Sequence, residues 1–279
     1  MIDVEKIGEV VKFRMARTLF GKSLYFTAAY WVDGLLVDTG CSHTMGEFVN
    51  AVGDLPITRI VNTHSHEDHV AANAALSAKH GAEVLAHAAA LPILADPGRN
   101  KLRPYQLVMW GHPNASSASV VGESLETDRY RFKVIWTPGH SPDHICLYEP
   151  CAGWLFCGDS YVGGKDKSLR LDYNIWKIIE SLKTLSLLDS SILFPGSGTV
   201  RNNPKEDLLE KIEYLEETGS RVLDLRAQGW SRRRIRRELF GPEMSIAYYT
   251  LGHFSGQNLV RSYIEDFPGS RKGDLILDT

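Results

Sequence analysis

The sequence lacks the long apolar segments of a membrane-spanning protein. None of its hydrophobic runs approaches the roughly 20 residues needed to cross a bilayer. The opening residues, MIDVEKIGEVVKF, also lack the charged and then apolar layout of a secretory signal peptide. Internal repeats and low-complexity tracts are missing as well. We therefore expect a cytoplasmic protein with no membrane partner.

The sequence also has no large excess of one charge and few cysteines. With 31 basic and 34 acidic residues the formal net charge is −3, so no global field attracts nucleic acid. The arginine-rich run 231–239 carries Ile235 and Leu239 four residues apart, which favours an ordinary helix with a solvated basic face over a nucleic-acid site. The four cysteines show no zinc-knuckle spacing and are expected to be buried free thiols.

The run HSHEDH, residues 64–69, is the most informative feature that is present. It follows the strand-like run 59–63 and contains four side chains that can bind a metal: His64, His66, Asp68 and His69. Because side chains alternate along an extended segment, the first three are predicted to share one side while His69 points elsewhere. One loop could thus serve two metal ions. The stretch 70–79 is predicted to be a helix whose dipole disfavours imidazolium at the cluster.

Strand-like and helical patterns come in two similar series. Predicted strands cover 10–17, 25–32, 35–38, 59–61, 83–86, 131–136, 144–149, 154–157 and 191–194. Predicted helices cover 44–52, 70–80, 174–188, 205–228, 232–240 and 257–266. The segment 88–128 is interrupted by prolines and is predicted to be irregular. Two such series indicate two sheets packed face to face with helices outside, a four-layer αββα sandwich. We expect a catalytic domain over 1–203 and a helical C-terminal extension over 204–279, packing on the active-site side.

Five short motifs point to one family. They are VDTG, THSHEDH, TPGHSPDHICLY, LFCGDS and LFPGSG, and they lie in this order between about residues 25 and 199. Several place candidate ligands just after a strand-like segment, where the edge loops of stacked sheets converge. In this combination the chain resembles the metallo-β-lactamase fold superfamily, in its hydrolase, glyoxalase II-like branch.

The resemblance implies six ligands for one or two metal ions in each chain. These are His64, His66 and His140 for the first ion, Asp68 and His69 for the second, and Asp159 as a bridge between them. Zn2+ is the expected metal, with Fe or Mn as alternatives.

Three further roles follow from the same resemblance. Asp38 would orient a ligand histidine from behind, as such ligands usually require. His144 would support its loop through hydrogen bonds. Asp68 would also act in catalysis, by orienting the attacking hydroxide or taking its proton.

One motif departs from the family's pattern. Relatives usually carry a histidine in the run PGHG that binds the second metal, whereas this chain has Ser197 in PGSG. A neutral hydroxyl is a poor ligand for a divalent ion beside an imidazole. His253 and His43 are candidates to complete the site or to contact substrate; otherwise the enzyme uses a single metal.

A metal ion with three protein ligands and one open position lowers the pKa of bound water to about 7. The predicted function is therefore a metal-dependent hydrolase that uses a metal-bound hydroxide on a small-molecule ester, thioester or lactone. No G-x-S-x-G elbow is present to supply a serine nucleophile instead. One alternative is an enzyme resembling mononuclear iron persulfide dioxygenases, with His64, His140 and Asp159 as its facial triad. A phosphodiesterase or nuclease of the same fold is another, and a homodimer is compatible with the sequence.

Overall fold

The computed structural model describes residues 1–19 and 21–269. Its contacts divide the chain into two compact units. The first contains Met1–Thr137, Pro142–Val162 and Asp189–Pro204, and the second contains Pro138–Ser141, Gly163–Leu188 and the residues from Lys205 onwards. Residues 270–279 of the predicted C-terminal extension lie outside the described residues, and the domain boundary at 203/204 stays a prediction.

Strands and helices are interspersed along the described chain. The strands are β1 (Ile2–Ile7), β2 (Val10–Leu19), β3 (Lys22–Val32), β4 (Leu35–Val37), β5 (Arg59–Val61), β6 (Glu83–Ala86), β7 (Ser119–Val120), β8 (Ser124–Glu126), β9 (Arg131–Trp136), β10 (Ile145–Glu149), β11 (Trp154–Gly158), β12 (Leu169–Arg170), β13 (Ile192–Pro195) and β14 (Phe254–Ser255). The helices are α1 (Met45–Val52), α2 (Asn73–His80), α3 (Leu91–Ala95), α4 (Pro104–Met109), α5 (Ile175–Ser186), α6 (Pro204–Ala227), α7 (Arg232–Phe240), α8 (Ser245–Tyr249) and α9 (Gly256–Glu265). Among the described residues, no helix is both long and apolar enough to span a bilayer.

The first unit contains two sheets. In the larger sheet β1 to β7 lie in chain order, with antiparallel pairs from β1 to β4 and parallel pairs from β4 to β7. Parallel neighbours need a crossover connection, and α1 and α2 supply the crossovers on either side of β5. The smaller sheet has the order β13-β11-β10-β9-β8, in which only β11 and β13 run parallel.

The main core lies between these two sheets. It joins buried side chains of both, among them Val10, Tyr30, Leu35 and Val61 of the larger sheet and Phe132, Leu147, Phe156 and Phe194 of the smaller one. A second cluster covers the other face of the larger sheet, where Phe48 of α1 and Leu76 of α2 pack against Phe13, Leu36 and Ile60. Because the short strands β4 and β5 are covered on both faces, they are almost continuously apolar.

The second unit is helical and contains the two-stranded ribbon β12–β14. Side chains cap three of its helices: Asn174 accepts from Lys177 N–H at α5, Ser231 caps α7, and Ser255 accepts from Asn258 N–H at α9. Tyr263 of α9 is fully buried and packs closely against α6, where it donates to the Leu215 carbonyl over 2.8 Å.

The structure corrects four expectations. The helix expected from residue 70 begins only at Asn73, after a series of turns. The segment expected to be irregular contains α3 and α4, because Pro92 and Pro104 lie in the first helical turn, where proline is tolerated. Strand β1 was not predicted because its mostly exposed edge position leaves little apolar pattern. Cys151 is exposed, whereas the other three cysteines are buried free thiols as expected.

Candidate metal centre

The candidate ligands of the first unit lie where strands end. Asp38 follows β4, the run HSHEDH follows β5 closely, and Asp159 follows β11. Gly196 lies directly after β13, and its N–H donates to the Gly158 carbonyl over 2.7 Å. The ends of four strands from two sheets therefore bring residues more than 150 positions apart into one cluster.

The HSHEDH loop turns instead of running extended. Residues 67–69 form a turn in which the His69 N–H donates to the His66 carbonyl over 3.0 Å. The ligand atoms of His64, His69 and Asp159 consequently lie within 4.8 Å of one another, and the rings of His64 and His69 have centroids 4.2 Å apart. The prediction that His69 points away from His64 is wrong, because the turn breaks the strand alternation on which it depended.

Asp38 fixes the orientation of His69. Its Oδ2 accepts from His69 Nδ1 over 2.8 Å and from Thr63 Oγ1 over 2.7 Å, while its Oδ1 accepts from the Thr63 N–H over 2.7 Å. Asp38 holds this position with a φ of 61°, which is strained for a residue other than glycine. Since the proton on Nδ1 is directed to Asp38, His69 Nε2 carries the lone pair that can bind a cation.

His69 Nε2 is buried and has no hydrogen-bond partner among the described residues. It lies 3.6 Å from Asp159 Oδ1 and 3.7 Å from Asp68 Oδ2. A buried nitrogen lone pair close to two carboxylates suits a divalent cation, because the cation can bind the nitrogen and an oxygen of each carboxylate. The residues present therefore fit a metal ion.

The electrostatics of the cluster point the same way. Burial alone would lower the pKa of His69, but Asp38, Asp68 and Asp159 raise it well above its ordinary value. This raised pKa runs opposite to the effect expected of a helix dipole alone, because carboxylates from three strand ends dominate and α2 begins four residues later. Burial raises the pKa of Asp68, and the nearby Glu67 and Asp159 add to this against the opposing effect of His69. A cation would relieve the repulsion among these acids.

The HSHEDH loop is held in place by two residues that the sequence analysis did not identify as functional. Asp143 Oδ2 accepts from the Ser65 N–H over 2.8 Å, and Gln106 Nε2 donates to Glu67 Oε1 over 2.7 Å. Asp143 stands in the motif SPDH, so its position in that motif was the only available signal. Gln106 belongs to a segment expected to be irregular and gave none.

His144 is fully buried and joins two loops. Its Nε2 accepts from the Asp159 N–H over 3.0 Å, and its Nδ1 lies 2.8 Å from Thr137 Oγ1 and 3.1 Å from Ser160 Oγ. These contacts fix the backbone that carries Asp159.

His66 is buried in the same loop as His64, and the centroids of the two rings are 4.5 Å apart. His140 is also buried and belongs to the second unit, in the short segment Pro138–Ser141. There Tyr173 Oη lies 3.2 Å from His140 Nε2. The neighbouring Gly139 has a φ of 133° and its carbonyl accepts from the Asn174 N–H over 2.9 Å, so this loop is fixed to the start of α5.

Ser197 stands beside the cluster on the loop after β13. It is partly buried, and its Oγ accepts from the Thr199 N–H at 3.5 Å. The adjacent Gly196 faces the ligands so closely that an added Cβ would lie 2.9 Å from His69 Cε1 and closer still to Asp159 Oδ1.

The two other candidate ligands have different surroundings. His43 Nε2 lies 2.9 Å from the Leu107 carbonyl and 3.0 Å from Arg17 Nη1. His253, in the second unit, is buried with its Nε2 3.8 Å from Asp172 Oδ1. Neither belongs to the groups of closely spaced ligand atoms found among the described residues.

Comparison with known proteins shows the family to which this chain belongs. The family model of the metallo-beta-lactamase superfamily matches residues 24–197, which is more than half of the chain. The chain therefore belongs to the metallo-beta-lactamase superfamily, as its motifs predicted. A metallo-beta-lactamase family protein from Thermus thermophilus shares the fold with a TM-score of 0.65 at 17% identity over 93% of each chain. The predicted α/β sandwich with C-terminal helices is thus confirmed.

Two curated relatives match a smaller part of the chain. A hydroxyacylglutathione hydrolase from Polaromonas sp. is 29% identical over 153 residues, which cover 53% of this chain and 51% of the relative. An atrochrysone carboxyl ACP thioesterase from Aspergillus fumigatus is 25% identical over 124 residues, which cover 44% of this chain and 38% of the relative. The chain thus spans about half or less of the length of these relatives.

Proposed function

We propose that the protein is a metal-dependent hydrolase of a small-molecule ester, thioester or lactone, with a thioester favoured. The observation that carries the proposal is the cluster of His64, His69 and Asp159, in which the buried and oriented His69 Nε2 lies 3.6 Å from the Asp159 carboxylate and 3.7 Å from that of Asp68. The names of the two curated relatives, a hydrolase and a thioesterase, support the reaction type.

The proposed ligands are those implied by the family motifs, with Zn2+ as the proposed ion and Fe or Mn as alternatives: His64, His66, His140, Asp68, His69 and Asp159. When bound, such an ion lowers the pKa of water to about 7 and polarises a carbonyl oxygen. The chain contributes buried carboxylates and imidazoles whose positions are fixed by hydrogen bonds.

The chain's own residues have separate tasks in this proposal. Asp38 holds the proton on His69 Nδ1 and keeps the opposite nitrogen directed at the site. Asp68 would orient the attacking water or take its proton, as the family motifs imply. His144 and Asp143 hold the loops on which Asp159 and Ser65 stand, so the site does not have to reorganise during reaction.

Metal content and turnover test the proposal together. Protein purified without added metal is analysed for zinc, iron and manganese, and is then assayed on chromogenic esters, thioesters and lactones. We expect bound zinc and hydrolysis that is lost on chelation and restored by the metal. One iron per chain with oxygen uptake, and no hydrolysis, would instead show that the dioxygenase alternative is correct.

Two variants test the proposed ligands. His66→Ala and Asp159→Ala should abolish turnover while the far-UV circular dichroism stays native. His80→Ala, at the end of α2, is the matched control and should keep wild-type activity. More than about a tenth of wild-type kcat/KM in either ligand variant would count against the assignment, because loss of a residue essential to metal catalysis removes far more.

A further inference from the structure

Three aromatic side chains form a cluster that the proposed chemistry does not use. Tyr25 of β3 meets Trp110 edge to face, with ring centroids 5.7 Å apart and an interplanar angle of 89°. Tyr105 of α4 contacts the same indole, with centroids 6.2 Å apart. We name Tyr25, Tyr105 and Trp110 the aromatic cluster. Two exposed aliphatic side chains of α4, Leu107 and Val108, extend its apolar surface.

The aromatic cluster is fixed to the HSHEDH loop through α4. Gln106, buried in this helix, donates to Glu67 of the HSHEDH run over 2.7 Å. The loop after β4 holds the end of the helix, where the His43 N–H donates to the Trp110 carbonyl over 3.3 Å. Arg17 of β2 also donates to the Val108 carbonyl. The cluster therefore keeps a defined position relative to the metal-binding residues.

One polar atom of the cluster lacks the partner it needs. Trp110 Nε1 is buried and has no hydrogen-bond partner among the described residues, and such a donor is costly to leave unpaired. Tyr25 keeps 40% of its surface exposed, so the cluster is open to a ligand on one side.

We propose that the aromatic cluster is the acyl-binding subsite of the hydrolase. It would bind an aromatic acyl group against Tyr25 and Trp110, and Trp110 Nε1–H would donate to a hydrogen-bond acceptor on that group. This inference rests on the proposed function, because Gln106 of α4, the helix that carries Tyr105, donates to Glu67, the residue next to the proposed ligand Asp68. The preferred substrate class is therefore an aryl-substituted acyl thioester or ester with an oxygen near the ring.

A series of acyl thioesters with one common leaving group, N-acetylcysteamine, tests the subsite. For the wild type we expect kcat/KM for the phenylacetyl thioester to exceed that for the acetyl thioester about tenfold or more. Trp110→Ala should bring this ratio close to one. Because the ether oxygen of a phenoxyacetyl group can accept from Trp110 Nε1–H, we expect the wild type to prefer that thioester to the phenylacetyl one. Trp110→Phe keeps a ring but removes the donor, so it should keep the phenylacetyl preference and lose the second preference. Trp136→Phe, an exposed tryptophan on β9, is the matched control.

An unchanged ratio in Trp110→Ala, or an equal loss on all acyl groups, would overturn the subsite. A preference that follows the leaving group instead, measured with one acyl group on several thiols, would overturn it too.

A binding measurement separates this inference from the proposed function. In a 1H–15N spectrum the indole cross-peak of Trp110 is the one missing from Trp110→Phe, and it should shift on addition of phenoxyacetate but not of acetate. The shift supports the subsite even if no thioester is hydrolysed, in which case the proposed function alone fails. No shift up to saturating phenoxyacetate would overturn the subsite even if hydrolysis is found.

Discussion

Gly196 offers a sharp test of how tightly the metal-binding side chains are positioned. Its backbone is fixed on both sides, because its N–H donates to the Gly158 carbonyl and its carbonyl accepts from the Ala28 N–H, each over 2.7 Å. A Cβ at this position would lie 2.9 Å from His69 Cε1 and closer to Asp159 Oδ1, whereas non-bonded carbon atoms prefer about 3.5–4.0 Å. In Gly196→Ala the backbone cannot give way, so Asp159 and His69 must move, by about 1 Å.

A displacement of this size has a calculable cost. Misplacement of catalytic groups by about 1 Å lowers rates about 100-fold, so we expect kcat/KM of Gly196→Ala to fall by that factor. The free energy of unfolding should fall by about 1–3 kcal/mol, as for other overpacked sites. The assays are turnover of the best substrate, metal content by mass spectrometry, and unfolding in urea.

Gly46→Ala is the matched control for this substitution. Gly46 lies in α1, and an added Cβ would meet nothing within 4 Å. This variant should keep full activity and gain about 0.5–1 kcal/mol of stability from improved helix propensity. If Gly196→Ala retained wild-type activity and metal content, the assignment of Asp159 and His69 to the metal centre would be refuted.

Three other perturbations test single interactions. Asp38→Asn should lower metal affinity about 10–100-fold in a metal titration, because the amide no longer holds the His69 tautomer, and an unchanged affinity would contradict that role. Ser197→His should raise the affinity for a second ion; no change would indicate that another residue completes the site. Burial opposes ionisation of Asp172, but the contact with Arg170 lowers the pKa of this carboxyl group. The ion pair should therefore stabilise the fold above the unfolded pKa of about 3.9, and this stabilisation should be lost in more acidic solution. The difference in urea stability between wild type and Asp172→Asn should therefore shrink between about pH 7 and about pH 3, and a constant difference would disprove the pairing.

The sequence predicted where the candidate ligands lie because each follows a strand with a clear apolar pattern. Residues 64–69 follow β5, and Asp159 follows β11, so two local patterns were sufficient to place both at strand ends. The direction of each side chain could not be predicted in the same way. The turn at 67–69 depends on the His69 N–H bonding back to the His66 carbonyl, which strand periodicity does not register.

The electrostatic surroundings of His69 could not be predicted from the sequence for a related reason. A helix dipole is a local property and can be read from the order of elements. The carboxylates that raise the pKa of His69 include Asp38 and Asp159, which come from distant parts of the chain and act only after folding. The contact between Tyr25 and Trp110 could not be predicted from the sequence either. Tyr25 lies on a long strand, whereas Trp110 follows a helix in a proline-rich segment that was expected to be irregular.

Anomalous X-ray diffraction from a zinc-loaded crystal tests the central claim most directly. The account predicts an anomalous peak at coordination distance, about 2.0–2.1 Å, from His69 Nε2, with Asp38 still bound to the opposite ring nitrogen. A fully active crystal whose only peak lay away from His69 and Asp159, with both side chains placed as described above, would contradict it.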